Sequence, residues 1–270
     1  RIAVLMYSAA GICAEEEALD AELRYLRAAK AGQVGEAQDA RIQQKRWAAL
    51  AAQRQYTGYQ LFQHRWEKKY RKPLGEGCPK MNSDIDQTVY MLGMLSGLQA
   101  MTNDINSGGA VHVPKDIAAI VERGMTCLNN EKFWGAPEAT RAVIWTLLPG
   151  AGDGKPDPYQ TLKQSMHIGE NKGVRLSHAL YAVAAQASGE DAKIRDALKA
   201  FSHARSDEKP VNPQFKLIDA MAGSMVQGIS DRYWTEHTGV RTGDQQRFWD
   251  EQDNSSELDD LFNEDTAAQL

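Results

Sequence analysis

The chain lacks the short signatures that usually announce an active site. No HExxH, CxxC, P-loop, GxSxG or GxGxxG pattern occurs, so the familiar arrangements for metal, phosphate or nucleophile chemistry are missing. No apolar run approaches the roughly 18 residues that a membrane-spanning helix needs, since the longest stretches, Ile2 to Met6 and Val89 to Leu95, fall well short. Strand signals are also scarce: only Val111 to Val113 reads as β, too short to found a sheet. Cysteine is sparse, with three in 270 residues, but a chain of this length can bury a core without covalent staples. Apolar residues recur throughout, which excludes disorder for most of the sequence.

What is present is helix. Leu19, Leu23, Tyr25 and Leu26 recur at three- and four-residue steps before Gly32. Residues 36–70 read as one long helix with Tyr59, Phe62, Trp66 and Tyr70 on a stripe, stopped by Pro73, Gly75 and Gly77. Ser83 and Asp84 are N-caps for a helix reaching about Asn103, and Pro114 opens another that runs to about Asn129. Further helices are expected from Pro137 to Pro149, from Pro158 to Gly173, over 174–188, over 190–205, and from Pro213 to about Thr238. The fold class is therefore all-α, a bundle of stacked antiparallel helix hairpins. Ala197, Phe201 and Ala204 keep the spacing of a tetratricopeptide second helix, with Pro210 one place late, so the array is tetratricopeptide-like but degenerate.

Charge divides the chain in two. Residues 243–270 hold nine acids against Arg247 alone, a net −8, which leaves +3 for residues 1–242. The organisation expected is a helical-hairpin ligand-binding domain over 1–242 and an acidic C-terminal tail over 243–270. Residues 41–72 carry nine bases and only Glu67. Because the tail also holds Phe248, Trp249, Leu258, Leu261 and Phe262, it is expected to dock on the basic helix or on a neighbouring molecule. The aromatics of the basic stretch lie on a core-facing stripe and the isoelectric point is near 5.7, so no nucleic-acid partner is expected. At the start, residues 2–14 read either as the stub of a secretory hydrophobic region or, more plainly, as an apolar first helix. Cys13 has the look of a lipid-anchor cysteine, but Ile12 stands where processing prefers a small residue.

Catalytic groups do not assemble on paper. The six histidines (His64, His112, His167, His178, His203 and His237) form no metal-ligating spacing, so neither a metal nor a cofactor is expected. Asp84 and Asp104 are explained as caps and Asp86 by the helix dipole, so an enzyme using Asp86, Asp104 or His112 is the minority reading. Cys78 and Cys127 flank two consecutive helices, and antiparallel packing would bring them together. Two buried free thiols are an equally ordinary reading at this stage.

Two helices are unusual in carrying methionine and glycine together. The first has Met91, Gly93, Met94, Gly97 and Met101, with Leu95 and Leu98; the second has Met221, Gly223, Met225 and Gly228 and ends at Tyr233 and Trp234. Glycine weakens a helix and so demands a packing reason, and methionine adapts to irregular apolar shapes. Together with Trp134 and Trp145, these helices are expected to line an apolar cavity, ordinary core with close helix contacts being the alternative.

The run from CPKMNSDIDQTVYMLGMLSGLQAMTND through LLPG, and six residues later DPYQTL, resembles the helical periplasmic T components of TRAP-type transport, in particular the helical lipoproteins of bacterial sterol transport. The similarity covers about residues 78–205. It implies a non-catalytic periplasmic protein at the inner leaflet of the outer membrane, binding a sterol such as a 4-methylsterol, or another apolar lipid, received from a periplasmic substrate-binding carrier protein. A helical scaffold that binds such a carrier without any lipid is the alternative. The resemblance favours a Cys78–Cys127 disulfide. In a sterol site, Asp104, Tyr181 or Asp231 would hydrogen-bond the 3-hydroxyl.

Overall fold

A computed structural model describes residues 2–205 and 210–251. Among these the chain forms nine α-helices: α1 (Ile2–Lys30), α2 (Val34–Tyr70), α3 (Asp84–Ser107), α4 (Ile117–Met125), α5 (Ala136–Leu147), α6 (Pro158–Lys172), α7 (Leu176–Ser188), α8 (Asp191–Ala204) and α9 (Lys216–Thr238). No strand occurs among the described residues; the all-α expectation holds. Caps set the boundaries. Ser83 Oγ accepts from the Asp86 amide at 3.1 Å and Asp157 Oδ1 from the Gln160 amide at 2.7 Å, each satisfying an amide that the first turn leaves unpaired. Gly108, Gly173, Gly189 and Gly239 close helices in the left-handed conformation. At Gly173 the requirement is double, because a Cβ would also sit 2.8 Å from the Pro210 carbonyl oxygen.

Two expectations need correction here. α4 is shorter than its sequence pattern, starting at Ile117 rather than at Pro114 and ending at Met125. The Val111–Val113 segment is not extended for pairing but wraps a carboxylate: Asp104 Oδ1 accepts from the Val111 amide (2.8 Å) and Oδ2 from the Val113 amide (2.9 Å). Satisfying that buried acid fixes the loop.

The architecture starts from a long hairpin. α1 and α2, of 29 and 37 residues, run about 44 and about 56 Å at roughly 1.5 Å per residue. Their shared face is built from small residues, Gly11, Ala14, Ala21 and Ala28 against Ala40, Ala48, Ala51 and Ala52, so the helices approach closely. A Cβ on Gly11 would fall 2.5 Å from Gln55 Cγ. Inside this contact Glu15 Oε1 accepts from Gln55 Nε2 (2.8 Å) and Asn103 Nδ2 (2.5 Å), tying α3 to the hairpin through a polar network.

α3 packs along α2, α4 on α3 and α5, α7 on α5, α6, α8 and α9, and α9 returns to α1. The return is held by charge: Arg232 to Glu22 and Arg241 to Asp20, both at 2.6 Å, and Lys30 Nζ to the His237 carbonyl at 2.6 Å. A buried pair fixes the α6–α7 junction, where Asp219 Oδ1 accepts from the Arg175 amide (3.0 Å) and Nε (2.8 Å). The tetratricopeptide-like positions Ala197, Phe201 and Ala204 are all buried where α8 meets its neighbours.

Residues 243–251, the described part of the acidic segment, dock on the chain's own α8 and α9. Phe248 is fully buried and meets Tyr233 edge-on at 5.7 Å, while Trp249 stacks on His237 at 4.7 Å. Arg195 donates to both Asp250 oxygens (2.7 and 2.8 Å) and Lys199 to Glu251 (2.8 Å), so α8 and α9 receive it. Those cations hold the Asp250 and Glu251 carboxyls below their usual range. Leu258, Leu261 and Phe262 lie outside the described residues.

Candidate functional site

Cys78 and Cys127 form a disulfide, with Cα atoms 5.1 Å apart and a sequence separation of 49. It staples the 71–82 loop to the end of α4. Cys13 is free and exposed.

The methionine and glycine residues do not wall one hollow. α3 packs on α2 and α4, whereas α9 packs on α7, α1 and α8, so the two helices share no packed interface. What fills the notches of α3 is the aromatic stripe of α2. A Cβ on Gly93 would stand 2.5 Å from the Phe62 ring, and one on Gly97 2.6 Å from the Tyr59 ring. Met91 and Met94 are fully buried and Met101 nearly so, while Leu95 and Leu98 are only partly covered. On α9, Met221 and Met225 are partly buried, and Gly228 admits Leu19 of α1. The glycines therefore serve close packing, which corrects the cavity expectation.

The remaining expected ligand-binding residues are dispersed. Trp134 adopts a left-handed backbone conformation and packs on Phe215 at 4.4 Å. Trp145 donates to Glu122 at 3.1 Å; burial alone would raise that carboxyl, but this bond and those from Arg141 hold it below its usual value. Tyr181 donates to Asp196 at 2.5 Å across α7 and α8. Asp231 accepts from Thr242 Oγ1 (2.7 Å) and Gln227 Nε2 (2.8 Å), and Trp234 packs beside Trp249 at 5.3 Å. Asp104, Tyr181 and Asp231 thus hydrogen-bond protein groups rather than facing a common space. Asp86, paired with Lys69 at 2.8 Å, and the exposed His112 are likewise not brought to Asp104 as a reactive set. Among the described residues no group of three His, Cys, Asp or Glu could hold a metal ion.

At the turn end of the α1–α2 hairpin lies an open apolar groove of about 570 Å³. Its floor is Ala29, Gly32 and Ala37, whose small side chains leave the space unfilled; Val34 and Ile42 stand exposed along it. Arg41 and Lys45 form its rim, with the Arg41 guanidinium 5.3 Å from the centre of the Tyr25 ring. Among the described residues neither cation is paired with a carboxylate: Arg41 reaches only Gln44. Compared with known proteins, the chain matches no family model, no curated protein and no solved structure. The groove was not legible beforehand, because an exposed flank of alanine carries no sequence signal of its own.

A second feature lies in the α2–α3 seam. The hydroxyls of Tyr59 and Tyr90 and the indole N–H of Trp66 are buried without a hydrogen-bond partner among the described residues. Burial pushes the Tyr90 phenol up to about 12 and the Tyr59 phenol higher. The space beside Trp66 and Tyr90 is about 10 Å³, room for about one water.

Proposed function

We propose that this chain is a non-catalytic docking protein of an oxidising compartment, receiving an amphipathic, acidic segment of a partner protein in the α1–α2 groove. The groove carries the reading: it combines an apolar floor, exposed Val34 and Ile42, and two rim cations that no carboxylate among the described residues pairs. The disulfide fits an oxidising compartment such as the periplasm, and among the described residues no helix is long and apolar enough to cross a membrane. A periplasmic substrate-binding protein would be such a partner, with the outer membrane as the place of assembly. The test is capture from a periplasmic extract using the chain, an Ile42→Glu variant, and a Leu217→Glu control at an exposed leucine outside the groove. Loss of one partner with Ile42→Glu alone supports the reading; equal capture by all three removes it.

A sterol- or lipid-binding role is the second reading, favoured by the three unpartnered polar groups among Met91, Met94 and Phe62. A guest with one hydroxyl and an apolar body would satisfy such a lining, provided α2 and α3 separate to admit it. Saturable binding of a labelled sterol, lost in Tyr90→Phe, supports it; no saturable binding eliminates it.

A further inference from the structure

We infer that the end of the α1–α2 hairpin opposite its turn is a lipid-contact surface, which seats the chain on an anionic bilayer through the first three turns of α1 and the cationic flank of α2 beside them. This surface is separate from the groove and stands whatever the groove receives.

Exposure singles the place out. An exposed leucine here and there is ordinary on a protein surface, whereas contiguous exposed apolar residues are not. Residues 2–14 contain no charged side chain, and Ile2, Leu5, Met6, Tyr7 and Cys13 among them are exposed. Ile2 and Met6 leave 75% and 67% of their surface open, the extent expected of side chains that no part of the fold covers. Ile2, Met6 and Cys13 follow one another by four and seven residues, so they form one outward stripe, while Val4 and Gly11 are buried on the other side of the helix. Leu61 widens the patch from α2. A Cβ on Gly58 would stand 3.1 Å from Tyr7 Cβ, and the exposed Leu61 lies one turn further along that flank. The stretch stops at the exposed Glu16 and Glu17, which leaves roughly 17 Å of helix between Ile2 and Cys13.

Charge names the occupant. Arg54 Nη1 donates to the Ala10 carbonyl at 2.7 Å, which sets this cation at the edge of α1. Arg65 and Lys68, both exposed, follow Leu61 by one and two turns on the same flank. Among the described residues none of the three is paired with a carboxylate. Glu67, the one acid of residues 41–72, accepts instead from Gln63 (3.1 Å) and from the Leu74 amide (3.2 Å). An apolar ridge flanked by unpaired cations matches a bilayer carrying anionic lipid: the side chains of Ile2 and Met6 enter the headgroup region and the cations meet phosphates. A second copy of the chain fits this face less well, because two-fold pairing would set Arg65 and Lys68 against their own counterparts.

The contact is one of surface. No helix among the described residues is long and apolar enough to cross a membrane. Leu61 and Ile42 are separated by 19 residues of α2, about 28 Å, so seating the chain on lipid leaves the groove clear of it.

The test is flotation of the full chain with vesicles of phosphatidylglycerol and phosphatidylethanolamine, against vesicles of phosphatidylcholine alone. Partitioning at least about tenfold stronger on the anionic vesicles, and weaker at high salt, is expected. Met6→Glu with Leu61→Glu should reduce it about tenfold or more, as should Arg65→Glu with Lys68→Glu. All four positions are exposed, so a matching melting temperature verifies the fold. Leu217→Glu, on α9, and Ile42→Glu, in the groove, should float as the unaltered chain does. Cys13 gives a second readout: as a free thiol on the stripe, it should react more slowly with a charged maleimide once anionic vesicles are added. Absence of flotation, flotation undiminished by Met6→Glu with Leu61→Glu, an equal loss in Leu217→Glu, or unchanged Cys13 reactivity on the vesicles each overturns the inference. So does a chain that dimerises through this face and leaves the vesicles bare. Ile42→Glu separates the two surfaces: flotation with unchanged partner capture would remove the docking reading alone, and lost capture without any flotation would remove this inference alone.

Discussion

At the scale of single residues, most of the polar side chains examined for function turn out to hold the fold. Glu122 shows how. Burial disfavours its charge, yet bonds from Trp145 and Arg141 depress its titration below 4.5, so ionised Glu122 stabilises the folded state above that pH. As pH falls through the depressed value the contribution disappears. Glu122→Gln is therefore expected to lower the melting temperature at about pH 7, with the gap narrowing as the pH falls below the ordinary carboxylate range. A gap constant across that range would show that the charge contributes nothing. Asp219 is a harsher case: removing it as Asp219→Ala strands the Arg175 guanidinium in the core, at a cost of about 3–5 kcal/mol in denaturant unfolding. Gly97→Leu must displace the Tyr59 ring, and an unchanged unfolding midpoint would contradict the close contact.

At the scale of elements, the helices were legible because their punctuation is local. Ser83, Asp157, Gly173 and Gly189 each act within one turn of chain and stand where the sequence pattern puts a boundary, whereas α3 runs on past the expected Asn103 to its cap at Gly108. The candidate site was not legible for the opposite reason. Gly93 and Gly97 announce that something comes close, but whether a ring or a guest arrives is decided by α2, whose Tyr59 and Phe62 point at them across a tertiary contact. The sequence of α9 repeats the theme of α3 without sharing its neighbours. Helix order made the disulfide possible without deciding it against two free thiols, and the family resemblance favoured it. Its loop of 49 residues predicts a loss of roughly 3–4 kcal/mol on reduction. Thiol titration of the unreduced, unfolded protein should find one reactive group, Cys13; three would refute the bridge. The 243–251 strap makes its own prediction. Phe248→Ala should expose it to limited proteolysis ahead of α8 and α9, with cleavage rising in acid as Asp250 and Glu251 protonate through their depressed values.

At the scale of the molecule, a helical stack that closes on its first hairpin leaves the hairpin's turn end as the open apolar surface described above. The rest of the α1–α2 contact is buried in alanine packing and in the Glu15–Gln55–Asn103 network. The docking reading gives this end its role, and at high ionic strength its cationic rim should lose grip on an acidic segment. Capture by the groove in about 1 M salt is expected to fall well below that in about 0.1 M, whereas insensitivity to salt would point to apolar contact alone.

The seating of α9 on α1 has a consequence for how the protein is made. Leu19 fits against Gly228, and Glu22 and Asp20 find Arg232 and Arg241, only after more than two hundred further residues have left the ribosome. The opening helix therefore emerges with one flank uncovered and waits for the closing one. In that interval it is a natural client for a chaperone, and a product stalled short of residue 216 would never complete the ring.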